Sequence, residues 1–327
     1  MKTKIGMMMV GLALLASCSQ DNENPVASAE GRITLGVASG DGGSLTRGVV
    51  NNLAALSADG ANVGVYGVQT ANTDAVASTL ADWIAAPKMH NVKTTAINTQ
   101  GIMSWANPDN YFYPKGEAKN NVRFFAYYPV AAATVTTPAG AGVSEKLGFT
   151  LTGDEDVMWA TPVIGSRTQP ASMLAFRHKL TQFTFVLTDN DGKFNSTYGA
   201  VTDLSVTANT KATMDMETGE MSSWNTEAAL DVCKDQSITL EQSVPVALDK
   251  VLMLEPGKTS FGVTLKAAGT GGGTVTKNTD IKPVGDTAFE AGKHYVITLS
   301  VSGNTLIQLG ASVEEWLEGG AGTGYIE

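Results

Sequence analysis

The sequence predicts an all-β protein built as two β-sandwich domains in tandem, with one short helix in the N-terminal domain. Three observations predict it. Apolar side chains recur at period two along much of the chain, the signature of strands with one face buried. Of 327 residues only 17% are charged, against about 25% in ordinary soluble domains, while 43% are hydrophobic and 35 are Gly. Such a chain can bury enough apolar surface to offset its ordering entropy. Finally, the polar, turn-forming run Asp189-Asn190-Asp191-Gly192 falls almost halfway along the chain that remains once an N-terminal export signal is removed, and divides it into two units of ordinary domain size.

Taken in order, the first element is an export signal. Lys2 and Lys4 form a short basic region, and the apolar stretch from Ile5 to Ala16 is too short to span a bilayer. Leu15-Ala16-Ser17-Cys18 closes it and resembles a bacterial lipobox. Residues 1–17 are thus expected to be removed as a lipoprotein signal peptide, leaving Cys18 as an acylated N-terminus. Each buried acyl methylene contributes about 0.8 kcal/mol, so several chains on Cys18 would hold the protein on an outer membrane without a transmembrane helix. Ser19 to Asn24, followed by Pro25, reads as a flexible tether.

The strands follow. Ile33, Leu35 and Val37 alternate with Thr34, Gly36 and Ala38; Val122, Phe124, Ala126 and Tyr128 alternate up to Pro129, which cannot donate to a ladder. Phe183, Phe185 and Leu187 make another strand, as do Phe261, Val263 and Leu265. Tyr295, Ile297, Leu299 and Val301 run into Ser302-Gly303-Asn304, which predicts a hairpin to the apolar run that starts at Thr305. Only Thr73 to Ala86 has a helical pattern, through Val76, Leu80, Trp83 and Ile84.

Chemistry-bearing motifs are sparse. Two Cys and three His exclude a disulfide framework and a dense zinc cluster. No nucleophile elbow and no His-Glu-x-x-His helix occurs, and His90, His178 and His294 lie far apart, so no catalytic residue, metal site or cofactor is assigned and the chain is read as a non-enzyme. Asp189-x-Asp191-Gly192 lacks calcium-loop spacing because Lys193 takes the next ligand position; a turn is expected. Gly269 to Gly273 has no following Lys-Ser/Thr and reads as a hairpin connection. Asp154, Glu155 and Asp156 read as a solvated loop, the five Trp as packing residues, and Cys233 as a small buried hydrophobe. With 22 basic and 32 acidic residues the formal charge is -10, the wrong sign for nucleic acid.

Several short motifs, in this order, resemble Bacteroidales fimbrillins, the pilins of type V pili. They are the lipobox and tether, Leu45-Thr46-Arg47-Gly48, the strand from Asn62 to Gly67, Arg123 to Pro129, Asp156 to Ala160, and Phe176 to Leu180 with its following FTFVL strand. In the second half come Met214 to Gly219, Leu254 to Gly257, Gly292 to Tyr295 and Val313 to Trp316. The resemblance implies two transthyretin-like sandwiches, at residues 48–190 and 191–327, preceded by a lipidated tether and removable first strand at 18–47. It implies an outer-membrane lipoprotein precursor that an arginine-specific protease cuts between Arg47 and Gly48, taking away the strand of Ile33, Leu35 and Val37. The strand of a neighbouring pilus subunit then fills the groove, supporting adhesion to host or bacterial surface ligands from a cell-surface fimbrium. The donor is expected in the C-terminal run bearing Leu306, Ile307, Leu309, Val313 and Trp316. Arg32 is a competing cleavage site, and a solvated loop residue is the plain reading of Arg47. Two other functions stay open at this point: a surface-anchored glycan-binding lipoprotein using its Trp and Tyr, and a surface hydrolase using its scattered acids.

Overall fold

The computed structural model describes residues 31–39, 62–70, 87–115, 121–137, 144–285, 287–303 and 306–315. Cys18, Arg47, Gly48, Trp316 and the helical pattern of Thr73 to Ala86 lie outside them. The described residues are almost all strand. Their α-helix, α1, is a single short piece at Phe194–Tyr198.

The N-terminal strands are β1 (Gly36–Ser39), β2 (Gly64–Thr70), β3 (Pro87–Ile97), β4 (Met103–Trp105), β5 (Asn121–Tyr128), β6 (Ala133–Thr137), β7 (Lys146–Thr150), β8 (Met158–Ser166) and β9 (Met173–His178). Seven of them form one sheet in the order β1-β9-β8-β5-β2-β3-β4. Its inner face closes on a core of Ile33, Leu35, Val65, Val122, Phe124, Leu174, Phe176 and their neighbours. Alternation in β5 predicted one buried face. Instead both are buried, because Phe125 and Tyr127 on the other face pack with Leu147, Phe149, Met214 and Met253 in a second core.

The remaining strands are β10 (Thr181–Asp189), β11 (Val201–Asp215), β12 (Met221–Cys233), β13 (Val246–Ala247), β14 (Leu252–Leu254), β15 (Phe261–Ala268), β16 (Thr274–Ile281), β17 (Lys293–Val301) and β18 (Leu306–Glu315). A five-stranded sheet runs β13-β10-β17-β18, with β14 also paired to β10; a six-stranded sheet runs β16-β15-β11-β7-β6, with β12 paired to β11. Between these two sheets lies a third core, built on Phe183, Phe185, Leu187, Val206, Val263, Ile297 and Leu299. β10 precedes the Asp189 turn, yet it pairs in parallel with β17 from Gln182 to Asp189.

β11 joins the two halves. At about 3.3 Å per residue its 15 residues extend about 50 Å, enough to cross two cores. Its first half carries Val201, Leu204 and Val206 into the C-terminal core, while Met214 reaches the core behind β5. There Lys211–Asp215 pair with β7, so strands from the N-terminal half extend the C-terminal sheet.

The turns behave as their residues predict. Asp189 is buried, its Oδ1 accepting from the Gly192 amide at 3.0 Å and its Oδ2 from the Phe194 amide at 3.0 Å. Those carboxylate oxygens close the turn that starts α1. Gly269 to Gly273 connects β15 to β16 as a hairpin, with Gly272 and Gly273 at φ of 88° and 86°.

Candidate functional site

The site of interest is the seat of the first strand. Gly31 has a φ of 73°, a left-handed turn that glycine takes without a Cβ penalty. Beyond it the chain is extended and Ile33, Leu35 and Val37 are 1%, 0% and 3% exposed. Their backbone is satisfied on both sides. On one side Tyr113 donates to Gly31 O, Ile33 to Tyr111 O, Met103 to Leu35 O and Val37 to Gly101 O, each at 2.9 Å. On the other, Gly36 donates to Ser172 O at 2.7 Å, and β1 pairs in parallel with β9 in the register Gly36 with Met173, Val37 with Leu174 and Ala38 with Ala175.

β9 and β4 are at opposite parts of the seven-strand order, and the first strand touches both. It therefore closes the sheet on itself around the inner core. Arg32 anchors its start, with Nη2 2.6 Å from Asp109 Oδ1 and the guanidinium over the Phe112 ring. At Gly36 an added Cβ would meet Met173 Sδ at 2.5 Å, so the thioether lies across that position. Behind the strand Tyr113 is buried, accepts from the Ala171 amide at 2.9 Å, and has its phenol pushed up to about 12 by burial.

The structure thus places the predicted Ile33, Leu35 and Val37 together, facing one core. Of their receiving residues, Leu174 of β9, Met103 of β4 and Tyr113 were not singled out by the sequence reading, and Phe176 of β9 entered it only within the motif Phe176 to Leu180. Leu174 and Phe176 carried a usable signal in the alternation of MLAF, but nothing local says that this strand pairs with residue 37 rather than another. The predicted donor residues Leu306, Ile307, Leu309 and Val313 lie on β18, antiparallel to β17 in the same chain.

Other candidate groups do not converge. His90 Nε2 is 2.9 Å from Glu145 Oε2, while Tyr66 donates to Glu145 Oε1; burial first, and then this bond, hold the Tyr66 phenol well above its usual range. His178 Nδ1 meets Asp156 Oδ1 at 2.8 Å, and His294 Nε2 meets Thr184 Oγ1 at 3.0 Å. Asp154 pairs with Lys250 at 3.2 Å and Glu155 with Thr152, but Asp156 is only 1% exposed. The solvated-loop expectation fails for that residue, because the loop folds it inward to His178. Trp105 is buried, and Trp159 and Trp224 pack against the core behind β5. Among the described residues no indole stands free as a sugar platform. No group of three metal-ligating side chains occurs among them either.

A model of the fimbrillin-like family matches residues 46–316. The chain belongs to the fimbrillin-like family. A Bacteroides uniformis protein described as fimbrium subunit Fim1C is 24% identical over 335 residues, covering 96% of this chain and 95% of that one. The solved fimbrial protein of Bacteroides vulgatus superposes with a TM-score of 0.55 at 15% identity, covering 88% of this chain and 99% of the other. A cell adhesion protein of Bacteroides uniformis gives 0.52 at 20% identity, covering 89% and 100%. These likenesses agree with the all-β fold, and the family supports the role of a structural pilus subunit that meets other subunits at the cell surface.

Proposed function

We propose that this fimbrillin-like chain is a shaft or accessory subunit of a cell-surface pilus that is exported as a lipoprotein and polymerises by strand exchange, supporting adhesion. In this reading its two sandwiches are transthyretin-like, and Cys18 carries the lipid that holds the precursor on the outer membrane. An arginine-specific protease cuts between Arg47 and Gly48, and the segment bearing Ile33, Leu35 and Val37 leaves. The C-terminal run of the next subunit then occupies the empty seat.

The observation that carries the proposal is the two-sided bonding of residues 31–37 within the closed sheet. Fully burying one such aliphatic side chain contributes about 1.5–3 kcal/mol, so losing three removes about 5–9 kcal/mol. That is comparable with the whole stability of a typical domain, about 5–15 kcal/mol. It also strands backbone groups on both lips of the slot, each costly when unpaired. A cut subunit would therefore have strong reason to take a strand from elsewhere.

N-terminal sequencing of the surface-displayed protein tests this directly. A start at Gly48 is expected in the polymer, and lipid-free precursor treated with an arginine-specific protease should form ladders that resist mild detergent. A surface form that retains acylated Cys18 throughout, or a cut protein that stays monomeric, overturns it.

A further inference from the structure

The first strand and the last described strand carry one short pattern. Ile33-Thr34-Leu35-Gly36-Val37 reads Ile-x-Leu-Gly-small aliphatic, and Ile307-Gln308-Leu309-Gly310-Ala311 reads the same. The string Ile-x-Leu-Gly occurs at these two places in the chain and at no third. Resting on the strand-exchange reading above, we infer that β18 of one copy docks in the emptied seat of a second copy with Ile307 in the place of Ile33. Leu309 then takes the place of Leu35, Gly310 that of Gly36, and Ala311 that of Val37.

Each position of the seat asks for what the pattern supplies. Positions 33 and 35 are enclosed, at 1% and 0% exposure, and take branched aliphatics. Position 36 lies under the Met173 thioether, where a Cβ would come within 2.5 Å of Sδ, so glycine leaves Met173 undisturbed. Position 37 faces the same core and accepts a smaller aliphatic with some loss of contact. Side-chain period is two, so a shift by one residue would turn Ile307, Leu309 and Ala311 away from the core; the match therefore selects a register as well as a segment. The run after β18, Trp316 to Glu327, contains no Ile-x-Leu-Gly sequence.

Backbone bonding favours the transfer. Among the described residues β18 is the outermost strand of the five-stranded sheet and pairs with β17 alone. That pairing is interrupted by a register shift between Thr298 and Leu299. In the seat, the strand would be bonded on both sides, to β9 and to residues 101–113, as the first strand is. An edge strand exchanges one neighbour for two, which satisfies more of its N–H and C=O groups.

A cysteine cross-link reads the register. The inferred docking puts Ser312 where Ala38 stands, opposite Ala175 of β9. The full chain carrying Cys18→Ser and Cys233→Ser would be given Ala175→Cys with Ser312→Cys, cut with an arginine-specific protease and oxidised. A covalent dimer in the cut sample, absent from the uncut one, is the expected result. The companion pair Ala175→Cys with Glu314→Cys, a shift of two residues, should give none. Ladders linked through residue 314, or ladders with no link at 312, overturn the register while strand exchange stands. Failure to cut after Arg47, or cutting without assembly, overturns the underlying reading as well.

Discussion

Leu35→Ala is the most informative single perturbation of the first strand. Leu35 is fully buried in the inner core, and its carbonyl accepts from the Met103 amide, so the substitution keeps the backbone bonds and removes only packing. Truncating a buried leucine costs about 2–5 kcal/mol through lost transfer energy and the cavity left behind. At about 2–4 °C per kcal/mol for a chain of this order of size, the melting transition of the lipid-free precursor should fall by about 4–20 °C. Thr34→Ala, on the opposite and partly exposed face, should cost less than about 1 kcal/mol and serves as the control. Thermal unfolding followed by near-ultraviolet circular dichroism measures both. A Leu35→Ala shift no larger than that of Thr34→Ala would refute the claim that this strand is part of the core. The two proteins should also become indistinguishable after cutting at Arg47 and assembly, since residue 35 has then left the subunit. A difference that persists in the assembled form would refute removal of the strand.

Three further outcomes follow from the same geometry. Asp189→Ala leaves the buried Phe194 amide without its acceptor and should destabilise the protein by about 1–3 kcal/mol, read as a lower denaturant midpoint at unchanged slope. Burial holds the phenols of Tyr113 and Tyr127 up at about 12 and Tyr66 higher still. These groups ionise first in the unfolded chain, so their contribution is complete below pH 10 and is lost as pH rises from 10 toward 12. Absorbance at 295 nm should accordingly show part of the tyrosine signal appearing only with unfolding; complete ionisation of a folded protein near pH 10 would contradict this. Burial also pushes the Cys233 thiol up, beside a cleft of about 530 Å³. Its reaction with a disulfide reagent at neutral pH should be slower in the native than in the denatured protein, and equal rates would refute that placement.

The strands themselves were legible locally. Alternating Phe183, Phe185 and Leu187, or Tyr295, Ile297 and Leu299, mark a buried face whatever lies opposite, and these residues do face one core. Turn chemistry was legible for the same reason: the Asp189 carboxylate bonds amides only three and five residues away. The inward set Ile33, Leu35 and Val37 could be read in this way too. β5 misled, because period-two alternation assumes that one face is wet. Here β7 and the far end of β11 cover the face that bears Phe125 and Tyr127. Asp156 misled for a related reason, since its partner His178 is brought by folding rather than by sequence proximity.

By itself, then, the sequence determined that this is a strand-built chain, one inward set of side chains on each alternating strand it marks, where the chain bends, and that its first and last described strands share one Ile-x-Leu-Gly pattern. Only the tertiary structure decided which strands far apart in sequence are neighbours. It placed residues 31–37 between β9 and residues 101–113, joined β10 to β17, and ran β11 across two cores. Side-chain period reports a face, but every extended backbone offers the same N–H and C=O groups along its edges. The choice of partner is therefore made by how whole faces pack, which no local stretch of sequence contains.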